Sequence, residues 1–222
     1  MTLSPEEKNQ LAAHKELLQN LLRIADEELP NHPAVELCPR QADVLKALET
    51  AFARQSCPPK LCLLTGGLAE DDYRPPRVVD YINATDTTPR HDWRALSPQL
   101  LRACEDSLCY LEPAAFCYVL PAYLRQYLLR PDYMCTDSIF FCLDYSRSAR
   151  RLQGLTAAQR DAVERVFNEY RCREIFLRES DGEEYLLPWE HARYEPVAEE
   201  MSPWTFASNL ALEYAAGNGM LS

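Results

Sequence analysis

The sequence predicts a mainly α-helical protein, α+β at most, folded as one compact domain over residues 1–222 with a small β-hairpin near its C-terminus. Three observations favour this fold class. Hydrophobic residues make up 47% of the chain, which is enough for a buried core. Serine or threonine caps and N-terminal prolines mark several helix starts. Behind these starts, apolar residues recur every three or four positions.

The first helix forms an N-terminal extension, residues 1–40. Ser4-Pro5-Glu6-Glu7 combines a serine N-cap, a proline at the first helical position and a glutamate that completes a capping box. Apolar residues then follow at helical spacing: Leu11, Leu18, Leu21, Ala25 and Leu29. We therefore expect a helix to about Leu29, ended by Pro30.

A helical core is expected over residues 41–173, beginning with an amphipathic helix from Gln41 to about Gln55. Turn-forming residues dominate from Ser56 to His91. Between them, the short apolar runs Leu61–Leu64 and Val78–Ile82 are consistent with two short strands.

Helices return after Ser97-Pro98 and after Glu112-Pro113. The stretch Ala114–Leu129 is almost wholly apolar and aromatic, which predicts a helix at the centre of the core. Pro121 within it lacks a backbone donor, so we expect a kink or a split there. Thr156-Ala157-Ala158-Gln159 is a capping box that opens a further helix. The residues of this helix expected to face inward are Val163, Val166, Phe167 and Tyr170.

The last part, residues 174–222, is predicted to hold an acidic hairpin and a final helix. Glu174–Arg178 and Glu183–Leu187 flank Ser180-Asp181-Gly182, an Asp-Gly turn signal. Ser202-Pro203 starts the final helix, which Gly217 should end.

Composition excludes several classes of function. The formal net charge of -11 disfavours nucleic acids and anionic membranes as main partners, because both require neutralising cations. No apolar run is long enough for a membrane span, and the first residues do not resemble a secretory signal. The nine cysteines lie mostly in apolar contexts without a C-x-x-C pair, which indicates reduced thiols. We expect a cytoplasmic protein with no metal or other cofactor.

Three segments stand out together: Trp93-Arg94-Ala95-Leu96, the run Leu111–Leu124 that contains PxAFxYxLPAYL, and the run Leu155–Val163 that contains LTxxQRxAV. In these segments the chain resembles an uncharacterised bacterial domain family. The resemblance covers about Asp43 to Tyr170. It implies one folded unit and a bacterial source, but no reaction. Phe116, Leu120, Tyr123 and Leu124 also have a structural interpretation, as core residues at helical spacing.

One local pattern is compatible with an enzyme. The run Gly66–Asp72 places two glycines before three carboxylates, Glu70, Asp71 and Asp72, which can hold a cation or act as acid and base. Cys62 and His91 are further candidates for a site assembled from distant residues. The sequence lacks a phosphate-binding loop and a G-x-S-x-G motif, and a solvated acidic turn is the better interpretation of Gly66–Asp72.

The charge pattern favours a binding surface. Residues 174–200 contain nine acidic and two basic residues, so seven of the eleven net negative charges lie there. Aromatic residues alternate with these acids, as in electrostatically steered interfaces. The predicted partner-binding residues are Glu179, Asp181, Glu183, Glu184, Tyr185, Trp189, Glu190 and Tyr194. Alternatively, the aromatics pack on the core and the acids form a solvated face.

These observations lead to a functional hypothesis with two alternatives. The preferred one is a cytoplasmic protein-binding module, of the immunity or antitoxin kind, that neutralises a basic toxin through its acidic aromatic surface. The alternatives are an enzyme with a site near Gly66–Asp72 and an adaptor or scaffold domain. No catalytic residue is assigned.

Overall fold

A computed structural model describes residues 2–65, 76–134, 139, 152 and 154–179, and for residues 170–179 it describes the backbone alone. Within these residues the protein is mainly helical and contains no strand. The six α-helices of the described part are α1 (Pro5–Glu28), α2 (Pro39–Ala51), α3 (Pro76–Thr85), α4 (Pro98–Ala103), α5 (Pro113–Leu129) and α6 (Ala157–Glu179). Short 3-10 helices span Leu29–Asn31, Trp93–Ala95 and Glu105–Tyr110.

The helix starts predicted at Ser4-Pro5, Ser97-Pro98, Glu112-Pro113 and Thr156 are confirmed. In α1 the Glu7 amide donates to Ser4 Oγ at 3.2 Å, and the Ser4 amide donates to Glu7 Oε2 at 2.7 Å. Thr156 and Gln159 form the equivalent pair of bonds before α6, at 2.9 and 3.3 Å. Five of the six described helices begin with proline, whose fixed φ suits the first turn and whose missing N–H is not needed there.

Helix α5 is the centre of the core, as predicted. Phe116, Leu120, Tyr123 and Leu124 are all fully buried. The helix contacts α2, α4, α6 and the Trp93–Ala95 turn, so it is covered on several sides. A helix surrounded in this way is apolar on all faces rather than along one stripe.

Pro121 does not split α5, which is continuous from Pro113 to Leu129. Proline removes the N–H that would otherwise bond to the carbonyl of Cys117, four residues earlier. The packing of the flanking turns against neighbouring helices holds the segment in a helical conformation despite this loss.

The two short strands expected between Ser56 and His91 are not found in the described residues of this range, 56–65 and 76–91. Val78 and Ile82 belong to α3, where their spacing of four places both on the buried side, in a small cluster with Leu3 and Leu11 of the N-terminal part. Leu61 and Leu63 are fully buried but lie in an irregular segment that ends in a 3-10 turn at 63–65. A short apolar run does not by itself distinguish a strand from a buried helix or loop.

The stretch predicted as the first arm of the hairpin is helical in the structure. Glu174–Arg178, expected as a strand, continues α6 to Glu179. This stretch contains no helix breaker, and its Arg, Glu and Leu residues have high helix propensity. The turn Ser180-Asp181-Gly182, the second arm and the predicted final helix lie outside the described residues.

Polar side chains join the helices around this core. Gln159 of α6 donates through Nε2 to Gln55 Oε1 at 2.8 Å, just beyond the end of α2. On the other side, Tyr133 donates through its hydroxyl to the Ala25 carbonyl at 2.7 Å and so ties α1 to the segment after α5. In the described part of the chain, no helix is both long enough and apolar enough to cross a membrane.

Candidate functional site

The predicted partner-binding surface begins where the described structure ends. Glu179 is the last residue of α6. The other predicted contact residues lie outside the described residues: Asp181, Glu183, Glu184, Tyr185, Trp189, Glu190 and Tyr194. The acidic segment, defined as residues 174–200, therefore starts within the last turns of α6 and continues directly from it.

Of the predicted catalytic candidates, the structure describes Cys62 and His91. Gly66–Asp72, with Glu70, Asp71 and Asp72, lies outside the described residues. Cys62 has a φ of 57°, which is unusual for a residue other than glycine, and its Sγ accepts a hydrogen bond from Asn83 Nδ2 at 3.2 Å. His91 is exposed in the loop before Trp93. Cys62 is thus held by an amide and not by His91.

A polar cluster that sequence reasoning missed lies beside α5. It consists of Cys57, Asp86, Arg90 and Tyr118, and we call it the Asp86 cluster. The Asp86 side chain is only 1% exposed, and its carboxylate accepts from the Thr88 amide at 2.8 Å and pairs with Arg90 at 3.5 Å. The cluster joins the loop after α2, the loop after α3 and the middle of α5.

Besides pairing with Asp86, the guanidinium group of Arg90 donates hydrogen bonds to two backbone carbonyls. Nη1 donates to the Pro59 carbonyl at 2.9 Å, and Nη2 donates to the Asn83 carbonyl at 3.4 Å. Tyr118 donates through its hydroxyl to the Pro89 carbonyl at 3.4 Å. The bond to Pro59 ties the loop after α3 to the loop after α2, and the bond from Tyr118 ties the loop after α3 to α5.

Burial in the cluster favours the protonated forms of the Cys57 thiol and the Tyr118 hydroxyl. Burial raises the pKa of the Cys57 thiol above its ordinary 9.0, although Arg90 acts in the opposite direction. Burial also raises the pKa of Tyr118 to about 12. Both groups therefore stay protonated near neutral pH, whereas a thiol nucleophile needs a lowered pKa. The arrangement is suited to holding loops together, and it does not prepare a thiolate or a phenolate for reaction.

Residues of the three segments that resemble the uncharacterised domain family have structural roles. Trp93 is buried and donates through Nε1 to the Phe52 carbonyl at 2.9 Å, at the end of α2. Tyr123 donates through its hydroxyl to the Cys104 carbonyl at 2.9 Å, which joins α5 to the end of α4. Gln159 caps α6 and also reaches Gln55. These segments therefore specify how the helices pack.

The six cysteines that the structure describes are free thiols: Cys38, Cys57, Cys62, Cys104, Cys109 and Cys117. Within residues 2–65, 76–134 and 154–169, no three His, Cys, Asp or Glu side chains are grouped closely enough to hold a metal ion. The apolar positions of most of these cysteines match their interpretation as small hydrophobic residues.

Comparison with known proteins gives one match. No curated protein and no solved structure matches the chain. A family of unknown function, DUF6714, matches residues 40–174, the stretch from the first turn of α2 to the last turns of α6. This range contains all three segments on which the resemblance to an uncharacterised domain family rests. The chain belongs to the DUF6714 family of unknown function.

Proposed function

We propose that this protein is a protein-binding module whose acidic segment contacts a basic protein partner. The observation that carries the proposal is the concentration of charge. Residues 174–200 have nine acidic and two basic residues, whereas the other 195 residues have 25 acidic and 21 basic ones. Most of the net negative charge thus lies in one short segment. An electrostatic field concentrated in this way steers an oppositely charged partner towards that segment.

The position of this segment relative to the family domain supports the proposal. The family match ends at residue 174, which is the first acidic residue of the segment. The helical domain therefore supplies a stable support, and a strongly charged stretch follows it at the end of α6. Functional segments are commonly carried in this way by a rigid scaffold.

Aromatic residues among the acids supply the anchoring chemistry. Tyr185, Trp189 and Tyr194 alternate with carboxylates in the sequence. Large aromatic side chains contribute most of the binding energy in many interfaces, while exposed charges act mainly on the rate of association. The segment combines both kinds of residue within about twenty positions.

The proposed partner is a basic toxin or effector, and the proposed mode of action is occupation of its basic cleft. This places the protein in the cytoplasm of a bacterium, where its nine cysteines remain reduced. The bacterial setting rests on the resemblance of the PxAFxYxLPAYL and LTxxQRxAV segments, and the mode of action rests on charge complementarity.

Affinity capture with matched charge reversals tests the proposal. The bait proteins are the wild type, the variant Glu183→Lys/Glu184→Lys, and the control variant Glu36→Lys/Asp43→Lys. Glu36 and Asp43 are exposed residues outside the acidic segment. Both variants change the net charge by the same amount, so a general effect of charge affects both equally.

The proposal predicts that the wild type and the control capture the same basic protein and that the Glu183→Lys/Glu184→Lys variant loses most of it. Equal loss in both variants would mean that net charge alone governs capture. Equal capture by all three would mean that the acids only solvate the surface, and the acidic segment would then not be the contact surface.

A further inference from the structure

The buried apolar residues of the described structure fall into two clusters. The larger one, which we call the main core, is built around α5 and contains 32 buried residues. The small cluster consists of Leu3, Leu11, Val78 and Ile82 and joins the N-terminal part to α3. Helix α1 contributes to both, since Leu11 belongs to the small cluster and Ala25 to the main core. The two halves of α1 therefore pack on different surfaces.

The N-terminal part and α3 also contact each other at the protein surface. Arg77 donates through Nη2 to the Thr2 carbonyl at 2.6 Å and through Nη1 to Glu7 Oε2 at 3.4 Å. Nζ of Lys15 lies 5.9 Å from the centre of the Tyr81 ring. The Arg77 side chain is 53% exposed, and exposed ion pairs contribute little to stability. The small cluster therefore supplies most of the attraction between the two helices.

Side-chain hydrogen bonds join this pair of helices to the irregular segment that follows α2. His14 donates through Nε2 to the Leu64 carbonyl at 2.7 Å. Asn83 donates through Nδ2 to Cys62 Sγ at 3.2 Å, and a thiol sulfur is a weak acceptor. The Leu64 side chain is partly buried against both clusters. The small cluster and the main core therefore meet at Leu64.

We propose that residues 2–15 and 76–85 form a cooperative unit, the α1–α3 unit, that opens while the main core stays folded. Regions with few buried apolar contacts open at a lower free energy than the core, and the small cluster has four buried residues against 32 in the main core. A helical segment of about ten residues without tertiary contacts is marginal in water. Both parts of the unit therefore fray once the small cluster separates.

Opening exposes an apolar surface that the closed protein covers. Val78 and Ile82 are buried in the closed protein. Residues 2–15 precede the family match, whereas α3 lies within it. In this chain, an element outside the matched range thus controls access to this face of the family domain. The unit shares no residue with the acidic segment, so this device is independent of the proposed function.

Native-state amide hydrogen exchange of the whole chain, measured residue by residue by NMR, tests the proposal with two matched variants. Val78→Ala removes two methyl groups from the small cluster, and Val166→Ala removes two from the main core. Both residues are buried and lie in helices, so the substitutions change helix propensity in the same way. Each substitution should change the equilibrium that it affects by about tenfold.

Val78→Ala destabilises the closed protein relative to both the opened unit and the unfolded chain, because the small cluster is lost in each. The amides of residues 8–14, of residues 80–85 and of α5 should all exchange about tenfold faster. Val166→Ala leaves the opening of the α1–α3 unit unchanged, since the main core stays folded in that step. Only the amides of α5 should then exchange faster, and those of residues 8–14 and 80–85 should keep their wild-type rates.

Three results would overturn the proposal. Faster exchange of residues 80–85 in Val166→Ala would mean that the small cluster and the main core open together. In Val78→Ala, faster exchange of residues 80–85 without that of residues 8–14 would mean that α3 opens alone. Unchanged exchange of both segments in Val78→Ala would mean that the small cluster does not hold them.

The wild-type protein gives a second measurement that needs no substitution. The amides of residues 8–14 and 80–85 should share one free energy of opening. This free energy should depend less on urea than that of the α5 amides, because local opening exposes less surface than complete unfolding. The same urea dependence in all three groups of amides would also contradict the proposal.

Discussion

Arg40 and Glu169 form an ion pair that joins the start of α2 to α6, with Nη2 of Arg40 at 2.9 Å from Oε2 of Glu169. The two side chains differ in their exposure, since that of Arg40 is 40% exposed and that of Glu169 is 6% exposed. Burial raises the pKa of Glu169 above its ordinary 4.5, and Arg40 partly offsets this effect. The buried carboxylate thus depends on its partner.

The first prediction concerns the pH dependence of stability. A raised pKa means that the folded state holds the proton more tightly than the unfolded chain does. The contribution of Glu169 to stability is therefore greatest below pH 4.5 and falls as the pH rises through the folded pKa. Glu169→Gln should remove this part of the pH dependence and should leave stability at pH 7 unchanged or slightly higher. Urea denaturation between pH 4 and pH 8 measures the effect.

Arg40→Met should have the opposite effect, because it leaves a buried carboxylate without this partner. We expect a loss of about 1–3 kcal/mol at pH 7, moderated by the exposure of Arg40. The matched control is Arg165→Met on α6, which breaks the exposed pair with Asp161 and should cost less than about 0.5 kcal/mol. Equal losses in the two variants would show that the buried position of Glu169 is unimportant.

The second prediction concerns Gln159, which caps α6 and bonds to Gln55. Gln159→Ala removes both interactions and should cost about 1–2 kcal/mol. Gln159→Glu keeps an oxygen that can accept from the Thr156 amide but loses the donor to Gln55. Its cost should therefore be smaller, as measured by the midpoint of urea denaturation. If Gln159→Ala is as stable as the wild type, neither bond contributes to stability.

The third prediction concerns Phe116, which is fully buried in α5. Phe116→Ala should cost about 3–5 kcal/mol, the usual range for removing a large aromatic side chain from a core. Glu112→Ala is a suitable control, because Glu112 is exposed and its side chain makes no capping bond to α5. An unchanged melting temperature of Phe116→Ala would contradict the central position of α5.

The fourth prediction concerns thiol reactivity. Burial raises the pKa of Cys104 to about 12 and that of Cys117 to about 11. Both thiols should resist alkylation by iodoacetamide at pH 8 in the folded protein and should react readily in urea, because the thiolate is the reactive form. Mass spectrometry of proteolytic peptides identifies the modified cysteines. Rapid alkylation of Cys104 under native conditions would show that α4 and α5 open frequently.

The helices could be predicted largely because their signals are local. Ser4 and Glu7, or Thr156 and Gln159, lie three residues apart, so the capping box is visible in the sequence before any tertiary contact is known. The apolar composition of Ala114–Leu129 likewise predicts a buried helix. The strand prediction for Val78–Ile82 is wrong because a five-residue run is too short to reveal its period.

The Asp86 cluster could not be predicted, because its contacts join residues that are far apart in the sequence. Cys57 and Tyr118 are 61 positions apart, and Arg90 bonds to Pro59 across 31 positions. Such contacts depend on how the loops after α2 and α3 lie against α5, which no local pattern encodes. The same limit applies to Cys62, which bonds to Asn83 and not to His91.

The fifth prediction concerns the kinetics of the proposed interaction. Exposed charges act over distances of roughly 8–10 Å at physiological ionic strength and therefore affect mainly association. A buried aromatic anchor affects mainly dissociation. Charge reversal and removal of an aromatic side chain should thus change different rate constants.

The most direct test is the kinetics of binding between this protein and the basic protein that it captures, measured by stopped-flow or biolayer interferometry at several salt concentrations. Glu183→Lys/Glu184→Lys should slow association and weaken its dependence on salt, and Trp189→Ala should mainly speed dissociation. The control Glu36→Lys/Asp43→Lys should change the rate constants less. If neither variant of the acidic segment changes a rate constant, residues 174–200 are not the contact surface and the proposed function is wrong.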